Sequence, residues 1–458
     1  LIMFLFLKGL FAKHRWSCSF SVLIHFVVCV CCFLHLMFQI SDLFSCALIV
    51  VTFVMHWTFS IENGPRRVNH AAVAYNNYIF SFGGHSAEEV QVVYEKIDIH
   101  VFCPTAFKWK EMPMPDYSNI YNHWAPCHRY GHTAVTYKDK CYIFGGRNIK
   151  VGACLGVFQF DFKTRVWHKK ATLGYKVYPR DAHTCCVYGS MMIIFGGFVE
   201  YTQQFSNDVF ILDLDTFIWR KPNVTGTPPI WRDFHTATVI GDRMYVFGGR
   251  SDEAAPYHSN VERYPTDLFY LDLSTFTWHE VQTTGERPTG RRSHSAWEHS
   301  GCLYIFGGYN GLTNHHSNSV YRFNPNSSKW EKLKPGGCPP TPRRRQCCVK
   351  IGSKVYIFGG TSPQFPVSHY YRIVGPNELY DLSDLYILDM SMLFRNYYDL
   401  INKCVCLDPT LETLCMESLL NRKAVIKKSE IPKILWKKYQ AILIGKDVSN
   451  SHGNRQRM

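Results

Sequence analysis

The stretch RRSHSAWEHSGCLYIFGG, Arg291 to Gly308, decides the fold. An arginine is followed three residues later by His294, then by a half-apolar run, a turn, the apolar Leu303-Tyr-Ile-Phe306 and a pair of glycines. The same unit opens at Arg67, Arg129, Arg180, Arg232 and Arg343. Its glycine pairs are Gly83-Gly84, Gly145-Gly146, Gly196-Gly197, Gly248-Gly249, Gly307-Gly308 and Gly359-Gly360. Arginine to first glycine is sixteen residues in every copy, whereas copy-to-copy spacing runs 62, 51, 52, 59 and 52. A constant inner unit with variable gaps makes the unit structure and the gaps loops.

Further along, five copies end in a tryptophan: Trp109, Trp167, Trp219, Trp278 and Trp330. The intervening runs are short, rich in Tyr, Phe, Val and Ile, and broken by Gly, Asp, Asn and Pro, so they read as strands of a meander. Four strands in about fifty residues cannot bury both faces of a sheet alone; packing the copies radially does, which predicts an all-β, six-bladed propeller with four-stranded blades. The sixth copy supplies Leu385-Tyr-Ile-Leu-Asp-Met390 with no tryptophan after it, while His56-Trp57-Thr58-Phe59 stands ten residues ahead of Arg67 without a blade. The simplest closure lays Trp57–Phe59 beside Leu385–Leu388, so that no sheet edge stays open.

Arg-x-x-His, Gly-Gly after Tyr-Ile-Phe and the distant tryptophan resemble kelch repeats, over about residues 57–390. The chain is therefore divided into a hydrophobic segment 1–54, a propeller 55–390, a helical tail 391–445 and a polar end 446–458. Between Trp16 and Val54 the only formal charge is Asp42, long enough for a bilayer span. Since residue 1 is Leu and Met55 immediately precedes His56-Trp57, residues 1–54 are expected to be an extension outside the working protein. The alternative is a membrane anchor formed by residues 16–54.

The formal charge of +14 permits anionic partners without selecting one. The 18 cysteines make no paired CxxC pattern, and adjacent ones such as Cys185-Cys186 and Cys347-Cys348 point to opposite faces of a strand. They read as reduced structural thiols of a cytoplasmic and nuclear protein. No nucleophile motif, P-loop or zinc spacing appears. The copper oxidase chemistry that some kelch rings carry needs Tyr, Cys and His ligands meeting at one mouth, but His132, His183, His235 and His294 fall at repeat positions and are expected to pack blades. No enzyme activity, metal or cofactor is expected.

In the tail, Leu411, Cys415 and Leu419 recur every four residues and share one helix face. They resemble the box by which substrate receptors bind Elongin C, and Ile431-Pro432-x-x-Leu435 resembles the cullin box that follows it. The segments Arg66-Arg-Val-Asn-His, Trp231-Arg-Asp-Phe-His, Arg343-Arg-Arg-Gln-Cys-Cys and Phe358-Gly-Gly-Thr-Ser-Pro363 are similar to one branch of the kelch family. That resemblance implies a substrate receptor of a cullin 2 ubiquitin ligase, partnered by Elongin B/C, that reads C-terminal glycine-end degrons, often Arg-Gly. The alternative it implies is a chromatin-binding scaffold linked to meiotic recombination. About 17 extra residues, Ser391–Leu407, separate the last strand from the box.

Meander topology puts the loop after the second strand and the loop entering the first on one face. The first collects His85, Arg147, Phe198, Arg250, Tyr309 and Thr361; the second collects the repeat arginines with the extra Arg292, Arg344 and Arg345. Such a face suits a carboxylate, because arginine offers a planar fork of donors. Arg250 and Arg292 are the expected carboxylate donors, with Arg147 in reserve, Arg232 nearby and Tyr309 against the peptide backbone. Glu88, Glu89, Asp252 or Glu253 would meet a penultimate arginine.

Overall fold

The computed structural model describes residues 53–61, 63–87, 96–113, 124–367, 370–373 and 379–394. The chain divides into two compact units, Leu1–Phe53 with Phe394–Val405, and Val54–Leu393 with Cys406–Met458. The described residues lie in the second, apart from Phe53 and Phe394. Of the helical tail expected over 391–445, residues 391–394 are strand and the rest falls outside them, as does nearly all of segment 1–54. Among the described residues no helix is long and apolar enough to cross a membrane.

Six antiparallel sheets follow the six sequence copies. Blade one is Ala71–Tyr75, Tyr78–Phe82, Ile99–Cys103 and Lys108–Glu111, each strand paired with the next. Blades two to five repeat this order, their first strands at Tyr130–Tyr137, Thr184–Tyr188, Thr236–Ile240 and Ser295–His299. Blades two, three and five exceed four strands: Gly152–Ala153 pairs antiparallel with the second strand of blade two, and Leu173–Gly174 and Thr284–Gly285 run parallel to the outermost strand of blades three and five. Blade six is Cys347–Ile351, Lys354–Phe358, Leu385–Phe394 and, outermost, Phe53–Ile61. The predicted closure is therefore the observed one. Its two strands run further than the expected limits of 55 and 390, because pairing continues as long as both partners stay extended.

Each hydrophobic cluster straddles two neighbouring blades, which is how half-buried sheets cover both faces. The phenylalanine before each glycine pair packs edgewise or tilted on the outer-strand tryptophan of the next blade: Phe82 on Trp167, Phe144 on Trp219, Phe195 on Trp278 and Phe247 on Trp330. Phe306 meets Trp57 at 5.5 Å and Phe358 meets Trp109 at 5.1 Å. Trp57, only 2% exposed, is thus the missing sixth tryptophan, carried by the other end of the chain.

The repeat arginine braces its own blade and joins it to the one before. Its side chain reaches the first-glycine carbonyl of its own blade, as Arg180 Nη1 to Gly196 at 3.0 Å and Arg232 Nη1 to Gly248 at 2.9 Å. Its own carbonyl accepts from the second-glycine amide of the preceding blade, at 2.8–2.9 Å in all six places including Gly360 to Arg67. The glycines are required by this approach: a Cβ on Gly145, at φ +67°, would stand 2.5 Å from both the Arg180 carbonyl and His183 Cε1. The histidines pack blades as expected, His183, His235 and His294 bonding Thr133, Thr184 and Thr236 of the blade before. Copy six has Gln346 in that place, its Nε2 donating to the Phe306 carbonyl at 3.3 Å.

Candidate functional site: the arginine-lined mouth

One residue beyond each repeat arginine the chain pairs with the residue just after a glycine pair. The partners are Val68 with His85, Tyr130 with Arg147, Asp181 with Phe198, Asp233 with Arg250, Arg292 with Tyr309 and Arg344 with Thr361. The next residue is left-handed in every blade: Asn69, Gly131, Ala182, Phe234, Ser293 and Arg345. Their amides and carbonyls close a ring, Gly131 to Asn69, Ala182 to Gly131, Phe234 to Ala182, Ser293 to Phe234, Arg345 to Ser293 and Asn69 to Arg345, at 2.8–3.1 Å. Twelve pairing residues and six ring residues therefore sit at fixed positions around one mouth. Beyond them the loops continue as small hairpins, Phe198–Val199 with Gln204–Phe205, Ser251–Asp252 with Glu262–Arg263, and Tyr309–Asn310 with His315–His316.

The structure separates the sequence-predicted arginines by their partners. Arg232 is not at the mouth; it is fully buried as a repeat arginine, bonded to the Ile230 and Gly248 carbonyls. Arg250 is at the mouth but engaged twice, at 2.6 Å with the buried Asp233 carboxylate and at 3.4 Å with Glu262. Arg292 shares Glu262 at 2.8 Å, and Arg147 pairs with Glu200 at 2.8 Å. Tyr309 stands where expected, with the Arg344 guanidinium 4.1 Å above its ring and the Arg292 guanidinium at 5.5 Å.

Arg344 and Arg345 are the cations without an acid. Neither makes an ion pair with any described residue, and the buried Nε of Arg344 has no hydrogen-bond partner there. Burial, then the positive charges of Arg345 and Arg292, pull the Arg344 pKa down to about 10. Burial and Arg292 lower Arg345 likewise. Beside them the Nε2 of His316 is buried without a partner, and burial followed by Arg344 lowers its pKa to about 4. Three arginines and a neutral histidine therefore converge with Glu262 on their edge and Asp381 acting on Arg345 from further off, a site electrostatically short of negative charge.

The opposite side of the mouth carries both signs of charge. A cavity of about 520 Å³ is lined by Tyr130, Arg147, Ile149, Asp181, Phe198, Asp233, Phe234, Arg250 and His258. The Asp181 carboxylate lies in it without an ion-pair or side-chain hydrogen-bond partner among the described residues. Burial, then the charge of Asp233, raises its pKa to about 6. Two of the acids expected from the sequence are engaged elsewhere. Asp252 is buried, holding its own hairpin through Ser259 and the Ala254 amide, and Glu253 pairs with Arg263. Glu88 and Glu89 lie outside the described residues, as do Leu411, Cys415, Leu419, Ile431, Pro432 and Leu435 of the tail. Sequence reasoning missed Asp181 and, although it set Arg344 and Arg345 on this face, did not choose them as the donors. Each departs from the repeat, one as part of a triple arginine and the other as an acid directly after Arg180, and that departure was the available signal. Among the described residues no group of three or more His, Cys, Asp or Glu is placed to hold a metal ion.

A model of the KLHDC2/KLHL20/DRC7 Kelch-repeats domain matches residues 131–360. Kelch domain-containing protein 3 of Homo sapiens is 42% identical over 364 residues, covering 79% of this chain and 90% of that protein. The protein of the same name from Rattus norvegicus is 41% identical over the same length. Host cell factor 2 of Homo sapiens is 32% identical over 252 residues, 52% of this chain and 31% of that protein.

Proposed function

The chain belongs to the kelch-repeat family of β-propellers, and from that premise we propose that it is the substrate-recognition subunit of a cullin 2 ubiquitin ligase, its mouth holding the C-terminal end of client proteins. One observation carries the reading: the mouth is bipolar. Arg344 and Arg345 make no ion pair among the described residues, Arg292 beside them already holds Glu262, and Asp181 across the mouth makes no ion pair either, with only the more distant charge of Arg147 acting on it. A peptide ending in Arg-Gly supplies both, a terminal carboxylate for the arginines and a guanidinium for Asp181. Glycine as the last residue keeps the carboxylate close to the ring backbone. Charge-assisted bonds of this kind are worth about 1.5–3 kcal/mol each.

The ligase half of the proposal is supported by the tail pattern Leu411, Cys415, Leu419 and then Ile431, Pro432, Leu435, an apolar helix face for Elongin C followed by a cullin contact. The protein then works in the cytoplasm and nucleus, with Elongin B/C and cullin 2 as constant partners. The test uses full-length chain expressed in cells. Elongin B and C are expected to co-purify with the wild type and to be lost from the double variant Leu411→Ala, Cys415→Phe, whose propeller still binds peptide. In parallel, Arg345→Ala is expected to weaken an Arg-Gly peptide about ten- to a hundredfold. Equal Elongin recovery from both chains overturns the ligase role. Retention on chromatin without Elongin favours the scaffold alternative.

A further inference from the structure

Blade two departs from the repeat at two positions that meet. In blades five and six the residue two before the repeat arginine is Thr289 or Thr341, whose hydroxyl accepts from Arg291 Nη2 at 3.1 Å or Arg343 Nη2 at 3.0 Å. In blade two it is Cys127, with Sγ 3.4 Å from Arg129 Nη2. In blades three and five the residue whose amide donates to the second-glycine carbonyl is Ser206 or Ser317, and its hydroxyl accepts from Arg180 or Arg291 Nη1. In blade two that residue is Cys154. The two sulfurs stand 3.9 Å apart.

A further difference among the blades bears on their charge. Blades one and six bring Asp98 and Asp384 to the repeat arginine, at 2.8 and 2.6 Å. Two residues beyond Cys154, where blade six has Asp384 two beyond Leu382, blade two has Gly156. The buried Arg129, like Arg180, Arg232 and Arg291, makes no ion pair with a carboxylate among the described residues, and what stands at its guanidinium is Cys127 Sγ. A hydrogen bond from Cys154, with the charges of Arg129 and Lys96 acting against burial, draws the Cys127 pKa down to about 5.

We infer that Cys127 and Cys154 are a peroxide-reactive dithiol that closes reversibly to a disulfide. The Cys127 thiolate attacks one oxygen of hydrogen peroxide, the O–O bond breaks, and the departing hydroxide takes up a proton as water, leaving a sulfenic acid. Cys154 sulfur then attacks that sulfur and displaces its hydroxyl, which leaves as water with the Cys154 proton. Two thiols are oxidised and one peroxide is reduced to two waters. The sulfurs close from 3.9 Å to about 2.05 Å. The bond ties the segment entering blade two to the loop after its glycine pair, beside Tyr130 and Arg147 of the mouth. It stands on blade two alone and does not depend on what the mouth binds.

The test takes reduced, full-length protein, adds equimolar hydrogen peroxide, caps remaining thiols and digests without reductant. The expected product is a Cys127–Cys154 cross-linked peptide pair, lighter by two hydrogens and released by dithiothreitol. Cys154→Ser is expected to leave a sulfenic acid at Cys127 that dimedone traps. In untreated wild type at about pH 6, iodoacetamide is expected to modify Cys127 at least about tenfold faster than the exposed Cys338. Absence of the cross-link in the wild type, or alkylation of Cys127 no faster than Cys338, overturns the inference.

Discussion

Asp181 and Arg345 lie one and two residues beyond the repeat arginines of different blades, so adjacent positions of the same joint, one bridge-paired and one left-handed, present opposite charges to one mouth. For Asp181 the cost of burial is measurable. Its folded-state pKa of about 6 lies above the unfolded value of 3.8, so over that interval the folded protein keeps a proton that the unfolded chain has released. The stability from the protonated form is fully present below pH 3.8 and is lost as pH rises through 6. Asp181→Asn is therefore expected to raise the melting temperature at pH 7.5 by a few degrees, from at most about 3 kcal/mol, and to make almost no difference near pH 4. Thermal unfolding of both proteins at the two pH values checks this. The same variant is expected to weaken an Arg-Gly peptide at pH 7.5, so stability and binding move in opposite directions. A carboxylate serving only the fold would lower both.

At the scale of the element, the blade-to-blade joint explains what the sequence could and could not reveal. The Arg-x-x-His spacing and the glycine pairs were legible because the joint is the same in every blade and so repeats as a pattern. That pattern also indicated that each repeat arginine is structural, yet Arg232 was still set among the ligand-binding residues; only its bonds to Ile230 and Gly248 remove it. Arg250 and Arg345 looked alike in the sequence, because their difference depends on Asp233 and Glu262, one brought up by another loop and one by the far strand of the same hairpin. The substitution of glutamine for histidine in copy six supplies a natural test of the joint. His183→Gln is expected to fold like the wild type, since Gln346 already fills that role, while His183→Ala is expected to lose about 2–3 kcal/mol as Thr133 and Phe144 lose their partner. Burial, then the Arg180 charge, holds His183 neutral with a pKa of about 3, against 6.5 in the unfolded chain. Its contribution is present above pH 6.5 and is lost as pH falls toward 3, so the glutamine variant is expected to be less acid-sensitive. Urea titrations at pH 7.5 and 4.5 measure both effects.

Across the whole propeller, stability rests on six like interfaces, one of which joins the two ends of the described chain. Trp57 supplies the outer-strand tryptophan of blade six and packs on Phe306 and Tyr386. Trp57→Ala is expected to cost about 3–5 kcal/mol and to lower the urea midpoint of a single transition, since opening one joint exposes the edges of two blades. A small loss with unchanged cooperativity would mean that the ring holds without that strand. The ring matters to function because only a closed ring keeps Arg344 and Arg345 of blade six opposite Asp181 of blade three. The account is tested most directly by titration calorimetry of the wild-type protein with one peptide ending in Arg-Gly, prepared with a free C-terminal carboxylate and as the amide. Capture of the terminus predicts that the acid binds at least about tenfold more tightly than the amide. Equal affinity for the two would contradict it.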